Sequence, residues 1–150
     1  MPKVRRLGHL VLRVRDLERS EQFYREVLGL EVVDRMGRQM SFLTAREDAS
    51  HELALLALGP AAPGPDPHRV GLYHFAFQVD SIEELRAFHK QLQENGVQIV
   101  GIGDHGISLG VYFLDPDGNE IEVYYELPRE QWPKEGSLFA GRFPVPLEVA

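Results

Sequence analysis

A segment of nine residues occurs twice in this chain, and its repetition limits the folds that the chain can adopt. "HLVLRVRDL" begins at His9 and "HFAFQVDSI" begins at His74, and the two align without a gap. In both segments apolar residues alternate along the sequence, which is the period of a half-buried β-strand. Self-similarity of this kind indicates two copies of one structural module.

A helix signal follows each of these strands. In the first copy, Asp16 is the expected N-cap and Gly29 the expected stop. In the second copy, Ser81 and Glu84 have the spacing of a capping box, and Gly96 supplies the stop. Both helices carry an apolar stripe at helical spacing, so we expect each to pack on a sheet.

Three strand-like segments follow each helix. They are "LEVVDRM", "RQMSFLTA" and "HELALLAL" in the first copy, and "VQIVGIG", "LGVYFLD" and "EIEVYYE" in the second. The sequence therefore predicts an α+β fold of two pseudo-symmetric βαβββ modules, at about residues 5–58 and 70–126. The Pro- and Gly-rich residues 59–71 are expected to form an exposed linker.

Residues 127–150 lie outside the repeat and form a C-terminal tail. The tail contains Trp132, Phe139 and Phe143, so we expect it to pack on something, either over a site or across a dimer. A chain of 150 residues suits a single domain built from two small halves.

The composition narrows the function. A net charge of −7 without a Lys/Arg cluster argues against a nucleic-acid partner. No apolar run reaches the ~18 to 20 residues of a membrane span, and the N-terminus lacks a signal-peptide pattern, so we expect a cytoplasmic protein. There are no cysteines, so any metal must be held by His, Asp or Glu.

Three polar residues are candidates for metal binding. His9 and His74 occupy the same position in the two copies, and pseudo-symmetry predicts that they face each other across a shared concavity. Glu122 stands between Ile121 and Val123, an unusual place for a carboxylate in a buried strand. Two His and one carboxylate form the facial triad of non-haem Fe(II) sites, although Mn, Ni or Zn can occupy such ligands. A single His at the start of a strand is more often structural, but a repeated one favours a ligand role.

The chain resembles the vicinal oxygen chelate superfamily, to which the glyoxalase, bleomycin-resistance and dioxygenase proteins belong. "DLERSEQFYREVLGL" and "DPDGNEIEVY" carry this resemblance, which covers about residues 5–126. It implies a single domain over residues 1–150, in which the paired βαβββ modules form a cup-shaped half-barrel around a metal, and it implies a homodimer. The superfamily contains several activities, so its fold does not decide the function.

Within the superfamily, "SHELALL" and "HGISLGVYFLDPDGNEIE" are similar to the type I extradiol dioxygenases of the catechol 2,3-dioxygenase kind. This resemblance implies cleavage of a small aromatic diol by O2 on Fe(II). It implies a set of metal ligands, which are His9, His74 and Glu122. It implies His51 as an acid–base residue, and His105 and Tyr112 as hydrogen-bond donors to substrate oxygens or intermediates. Ser108 fits the pattern but is assigned no role.

The sequence leaves two other functions open. A glyoxalase I-type lyase would use four ligands, namely His9, Glu52, His74 and Glu122. A metal-free drug-binding protein of the same superfamily would use none. Because adjacent strand residues point to opposite faces, only one of His51 and Glu52 can face a metal. We expect His51 to do so, because His105 and Tyr112 have no required task in a glyoxalase.

Overall fold

The computed structural model describes residues 1–147, so the last three residues of the predicted tail 127–150 lie outside it. The chain divides into two compact units, Met1–Gly64 and Pro65–Ala150. The division falls within the predicted linker 59–71. A single domain over residues 1–150 stays a prediction.

The first unit is a four-stranded sheet with one helix. Its strands lie in the order β1-β4-β3-β2, with β1 parallel to β4 and the other neighbours antiparallel. In chain order the elements are β1 (Leu10–Val14), α1 (Leu17–Glu26), β2 (Glu31–Met36), β3 (Met40–Thr44) and β4 (Leu53–Ala57).

The second unit is a five-stranded sheet with one helix. Its strands lie in the order β5-β8-β7-β6-β9, and β5 is parallel to β8. The elements are β5 (His74–Gln78), α2 (Ile82–Glu94), β6 (Ile99–Gly106), β7 (Ser108–Leu114), β8 (Glu120–Glu126), a short 3-10 helix (Arg129–Gln131) and β9 (Phe139–Arg142). The fifth strand, β9, comes from the C-terminal tail and was not predicted as a strand.

The two units share one topology, which confirms the predicted α+β fold with two βαβββ modules. In each, the first strand pairs in parallel with the fourth, and the remaining order is the same. The registers also correspond, because Leu10 pairs with Leu53 as Phe75 pairs with Ile121. The position equivalent to Glu122 is therefore Ala54.

The helices begin where the sequence predicts. The Asp16 side chain accepts a hydrogen bond from the Arg19 amide at 3.0 Å, and Ser81 accepts one from the Glu84 amide at 3.1 Å. The second hydrogen bond differs from that of a standard capping box. The Glu84 carboxylate accepts it from the amide of Asp80 rather than from the amide of the N-cap residue Ser81. Among residues 1–147, no helix has the length and apolar character needed to cross a membrane.

Each sheet buries one apolar face. In the second unit, α2 packs against β7 and β8. The buried side chains there include Leu85, Leu92, Val111, Phe113, Ile121 and Val123. Because side chains alternate along a strand, the residues between them in β7 and β8 lie on the opposite face of the sheet. That opposite face carries the polar residues of the candidate site.

The turn between β7 and β8 fixes the register of these two strands. The buried carboxylate of Asp115 accepts hydrogen bonds from the amides of Asp117 and Asn119, both at 2.9 Å, and from the Asn119 side chain at 2.8 Å. Gly118 takes the left-handed conformation, with φ of 90°. With this register, Tyr112 stands directly opposite Glu122.

Candidate functional site

The polar face of the second unit brings together His74 and Glu122. His74 is the first residue of β5, and Glu122 lies in the middle of the neighbouring β8. Nε2 of His74 is 3.3 Å from Oε2 of Glu122. The carboxylate is buried, with 7% of the residue exposed, so it is held at the sheet surface rather than free in solvent. A neutral imidazole and a carboxylate placed in this way are two typical ligands of a divalent metal.

A glycine makes the room that Glu122 needs. Gly110 lies on β7 beside Glu122, and a Cβ added at Gly110 would lie 2.8 Å from the carboxyl carbon and still closer to Oε1. No real side chain could occupy that space without displacing the carboxylate. A glycine inside a strand commonly marks such a close approach. The absence of a Cβ at Gly110 therefore leaves the space that the Glu122 carboxylate occupies.

A second carboxylate, Glu120, lies on the same face of β8. It stands directly opposite His74 in the parallel pairing, with its Oε2 at 3.7 Å from His74 Nδ1. Among residues 1–147, both of these atoms are buried and neither has a hydrogen-bond partner. Burial raises the pKa of Glu120, and the neighbouring His74 opposes this rise. Sequence reasoning missed Glu120, although its spacing of two residues from Glu122 puts both on one face.

His105 and Tyr112 form a hydrogen-bonded pair on the same sheet. Nε2 of His105 is 2.7 Å from the Tyr112 hydroxyl, and Nδ1 is 3.2 Å from the carbonyl oxygen of Ala140 on β9. In the neutral ring, Nδ1–H donates to this carbonyl, so Nε2 accepts the Tyr112 O–H. Gly103 again provides the space, since a Cβ there would lie 3.0 Å from the Tyr112 ring and 3.1 Å from His105 Nε2.

The environment of Tyr112 keeps its hydroxyl protonated. Burial raises the pKa of Tyr112, and the negative charge of the nearby Glu122 raises it further. The Tyr112 ring also meets His74 edge to face, with the ring centroids 5.3 Å apart. The phenol is therefore a hydrogen-bond donor beside the His74–Glu122 pair over the whole neutral range.

The C-terminal tail supplies one wall of this face. Phe143 follows β9, and its ring lies against Gly101, where a Cβ would be 2.8 Å from ring atom Cε2. The same ring meets Tyr112 edge to face at 5.8 Å between centroids. The sequence indicated that the tail packs on something, but only strand pairing reveals that it contacts Tyr112.

In the first unit, His9 and His51 lie together. Their ring centroids are 4.5 Å apart, and His51 also meets Phe42 edge to face at 5.3 Å. The Glu52 carboxylate accepts a hydrogen bond from the Thr44 hydroxyl at 2.5 Å and one from the Ala45 amide at 3.3 Å. The His51 ring is thus beside His9, while Glu52 is engaged with the end of β3.

His51 and Glu52 lie just before the regular part of β4. Strand alternation was expected to separate His51 from Glu52, but β4 begins only at Leu53, so both residues precede the strand. Their different directions come instead from the bend before β4 and from the hydrogen bonds of Glu52.

The predicted site residues thus form two local clusters, each within one unit. His74, Glu122, His105 and Tyr112 share the sheet of the second unit, and His9 and His51 share the first. Within residues 1–147, no group of three or more His, Asp or Glu is arranged closely enough to hold a metal ion. Of the predicted ligands, His74 and Glu122 lie together, and the roles predicted for all six residues stay predictions.

The residues around His74 nevertheless fit a metal ion. Gly110 leaves space for an unobstructed carboxylate, and His74 Nε2 and Glu122 Oε2 lie side by side. The unsatisfied His74 Nδ1 faces a carboxylate, as the second nitrogen of a metal-bound His usually does. The donor set of imidazole nitrogen and carboxylate oxygen suits Fe(II), Mn, Ni or Zn.

Comparison with known proteins identifies the family. Residues 6–123 match the model of the Glyoxalase/Bleomycin resistance protein/Dioxygenase superfamily, and the chain belongs to this superfamily. The glyoxalase/dioxygenase structure from Nostoc punctiforme is similar with a TM-score of 0.68 and 25% identity, covering 83% of this chain and 92% of that one.

Several curated relatives are similar in sequence. The catechol-2,3-dioxygenase of Bacillus subtilis (strain 168) is 41% identical over 130 residues, covering 86% of this chain and 44% of that protein. The biphenyl-2,3-diol 1,2-dioxygenase 3 of Rhodococcus globerulus is 36% identical over 119 residues, covering 79% and 62%. The glutathione transferase FosA of Serratia marcescens is 32% identical over 119 residues, covering 79% of each. The chain spans about half the length of the two dioxygenases.

Proposed function

We propose that this protein is an extradiol dioxygenase, which uses O2 to open the ring of a catechol-type substrate beside its two hydroxyls. The observation that carries the proposal is the His105–Tyr112 pair next to His74 and Glu122 on one sheet face. A metal-binding pair alone would suit many enzymes of the superfamily. A buried proton-donating phenol beside it suits a substrate whose oxygens carry negative charge.

The proposed ligands of the metal are His9, His74 and Glu122, and Fe(II) is the proposed ion. His9 is included because it occupies the position of His74 in the repeat. The two nine-residue segments align without a gap, and the two units share one strand topology. When bound, such an ion would hold the diol and O2 together and assist electron transfer between them.

The other side chains have tasks that follow from their contacts. The Tyr112 hydroxyl stays protonated, and in this structure its O–H donates to Nε2 of His105. When a substrate oxygen carries negative charge, the phenol can turn its O–H to that oxygen, and His105 can donate to it from Nε2 when the ring is protonated. His51 is the proposed acid–base residue, since an imidazole can carry a proton near neutral pH. Its Nδ1 lies 2.9 Å from the Ser50 hydroxyl, which orients the ring.

The glyoxalase-type alternative is less well supported, because it requires Glu52 as a fourth ligand. In the repeat, the position equivalent to Glu122 is Ala54, which cannot bind a metal. Glu52 instead corresponds to Glu120, and its carboxylate is occupied by Thr44 and Ala45. Because the chain is similar to FosA, a transferase is a further alternative. A metal-free binding protein is less well supported, because it would give the adjacent His74 and Glu122 side chains no function.

One experiment separates these functions. The protein is purified anaerobically, its metal content is measured, and oxygen uptake is followed with a panel of catechols that includes unsubstituted, alkyl and aryl forms. The proposal expects about one Fe(II) per chain and oxygen uptake coupled to a coloured ring-opened product. Turnover of a glutathione adduct without oxygen uptake would favour an isomerase or transferase. A homodimer and a cytoplasmic location are part of the same proposal and are tested by light scattering and by cell fractionation.

A further inference from the structure

The carboxylate of Glu120 and the ring of His74 form a contact that the proposed reaction does not use. The two residues are direct partners in the parallel pairing of β5 with β8, so the backbone holds them side by side. Oε2 of Glu120 is 3.7 Å from Nδ1 of His74, just beyond hydrogen-bonding distance. Both atoms are buried without a hydrogen-bond partner among residues 1–147.

Such an arrangement is costly unless the two groups serve each other. A buried donor or acceptor that stays unsatisfied destabilises the fold, because it has lost its water partners without gaining a protein partner. A small rotation of either side chain would close the gap to a normal bond of ~2.8 Å. The ring would then donate Nδ1–H to Glu120 and present Nε2 towards Glu122, from which it is already 3.3 Å away.

We infer that Glu120 is a positioning residue for His74: it accepts the Nδ1–H of the ring and so directs Nε2 to the metal. The inference rests on the proposed metal site. A metal-bound His nearly always donates its other N–H to a carboxylate, a carbonyl or water, which fixes its tautomer and orientation. Glu120 is therefore not a metal ligand but the group that holds one.

The first unit indicates that this arrangement is specific to His74. Glu52 is the repeat equivalent of Glu120, but its carboxylate turns to the Thr44 hydroxyl and the Ala45 amide. The shared topology alone therefore does not direct a carboxylate at this position to the neighbouring His. Oε2 of Glu120 has no such competing partner among the described residues.

The affinity of the protein for Mn²⁺ tests this inference. The metal-free chain is titrated with Mn²⁺ and the free ion is followed by its paramagnetic resonance signal. We expect Glu120→Ala to weaken binding by about 10- to 100-fold, as removal of such a partner usually does. Glu120→Gln should restore most of the affinity, because its amide oxygen can still accept from Nδ1–H. Glu126→Ala is the matched control, since Glu126 lies on the same face of β8 away from His74, and its affinity should equal that of the wild type.

Nitrogen-15 NMR of the wild-type chain loaded with Zn²⁺ gives an independent answer that does not depend on how the variants fold. The inference expects a proton on Nδ1 of His74, and a shift of this proton signal in Glu120→Gln. A proton on Nε2 would overturn it, as would an unchanged Mn²⁺ affinity in Glu120→Ala. Loss of Mn²⁺ binding in Glu120→Gln as complete as in Glu122→Gln would make Glu120 a direct ligand and also overturn it. If the wild type binds none of Mn²⁺, Zn²⁺ or Fe²⁺, the proposed function itself fails. If the wild type binds a metal but Glu120→Ala binds it equally well, only the positioning role of Glu120 fails.

Discussion

Gly110 and Glu122 occupy one space on the sheet of the second unit, because the glycine lacks the Cβ that would collide with the carboxylate. Their relationship makes Gly110→Ala a sensitive test of the candidate site. The new methyl group must displace the Glu122 carboxylate from its present position, so we expect metal affinity to fall by at least about 10-fold. The measurement is the same Mn²⁺ titration.

The control for this substitution is Gly141→Ala, at an exposed position of β9 where a Cβ would meet nothing within 4 Å. It should leave Mn²⁺ affinity unchanged. Wild-type affinity in Gly110→Ala would mean that Glu122 does not bind the metal from its present position.

Glu122→Ala should abolish stoichiometric metal binding without unfolding the chain, since the apolar face of β8 remains packed. A metal that binds only the folded state stabilises it, by about 2.7 kcal/mol at a ligand concentration of 100 Kd. We therefore expect added Mn²⁺ to raise the Tm of the wild type but not that of the variant. An equal rise in both proteins would contradict the role of Glu122.

Tyr112 should stay protonated throughout the neutral pH range, because burial and the Glu122 charge raise its pKa above the usual 10.0. Ultraviolet difference spectra of the wild type and Tyr112→Phe should assign to Tyr112 a phenol that ionises with a pKa above the usual 10.0. The same variant should keep its metal but cleave catechols about 10- to 100-fold more slowly, the equivalent of one hydrogen bond to a charged group. A Tyr112 that ionises near neutral pH would contradict the donor role.

The ion pair between the buried Glu21 and the exposed Arg35 should make the stability of the first unit depend on pH. Glu21 is buried on α1, where the Arg35 guanidinium and the Ser41 hydroxyl both donate to its carboxylate. Chiefly through the Arg35 hydrogen bonds, the pKa of Glu21 lies below its usual 4.5. Because the folded-state pKa is lowered, this stabilisation is present above pH 4.5 and is lost as the pH falls through the lowered value.

Glu21→Gln should therefore lower the free energy of unfolding by about 1 to 3 kcal/mol at neutral pH. The difference from the wild type should shrink in acid, as urea denaturation at several pH values would measure. Glu47→Gln, at an exposed loop position, is the control and should have little effect. If the difference in the free energy of unfolding instead grew as the pH falls, the ion pair would not be the source of the stabilisation at neutral pH.

Much of the fold was predictable because its signals are local. Alternation along the strands, the caps Asp16 and Ser81, and the turn from Asp115 to Asn119 depend on neighbouring residues. The repeat then determined that both halves share one topology. His105 and Tyr112 were found because both precede that turn in a known pattern, and the structure places His105 Nε2 2.7 Å from the Tyr112 hydroxyl.

The features that were missed depend on pairing between distant strands. Glu120 faces His74 only because β8 pairs with β5 in one register, and a shift of one residue would exchange the two faces of β8. Phe143 reaches Tyr112 only because β9 adds to β6, and the tail carries no clear strand pattern. The bend that separates His51 from Glu52 likewise depends on hydrogen bonds to β3.

Substitutions of His51 and Glu52 distinguish most clearly between a dioxygenase and a glyoxalase-type enzyme. Its ring lies beside His9 and Phe42, and the neighbouring Glu52 is held by Thr44. We expect His51→Phe to keep metal and catechol binding but to slow ring cleavage by about 10² to 10⁴-fold, the usual cost of a lost proton transfer. Glu52→Gln is the matched control and should keep its full metal content. Metal content and stopped-flow oxygen uptake measure both effects. If Glu52→Gln lost the metal while His51→Phe kept normal metal binding and turnover, a glyoxalase-type enzyme with Glu52 as a ligand would be the better assignment.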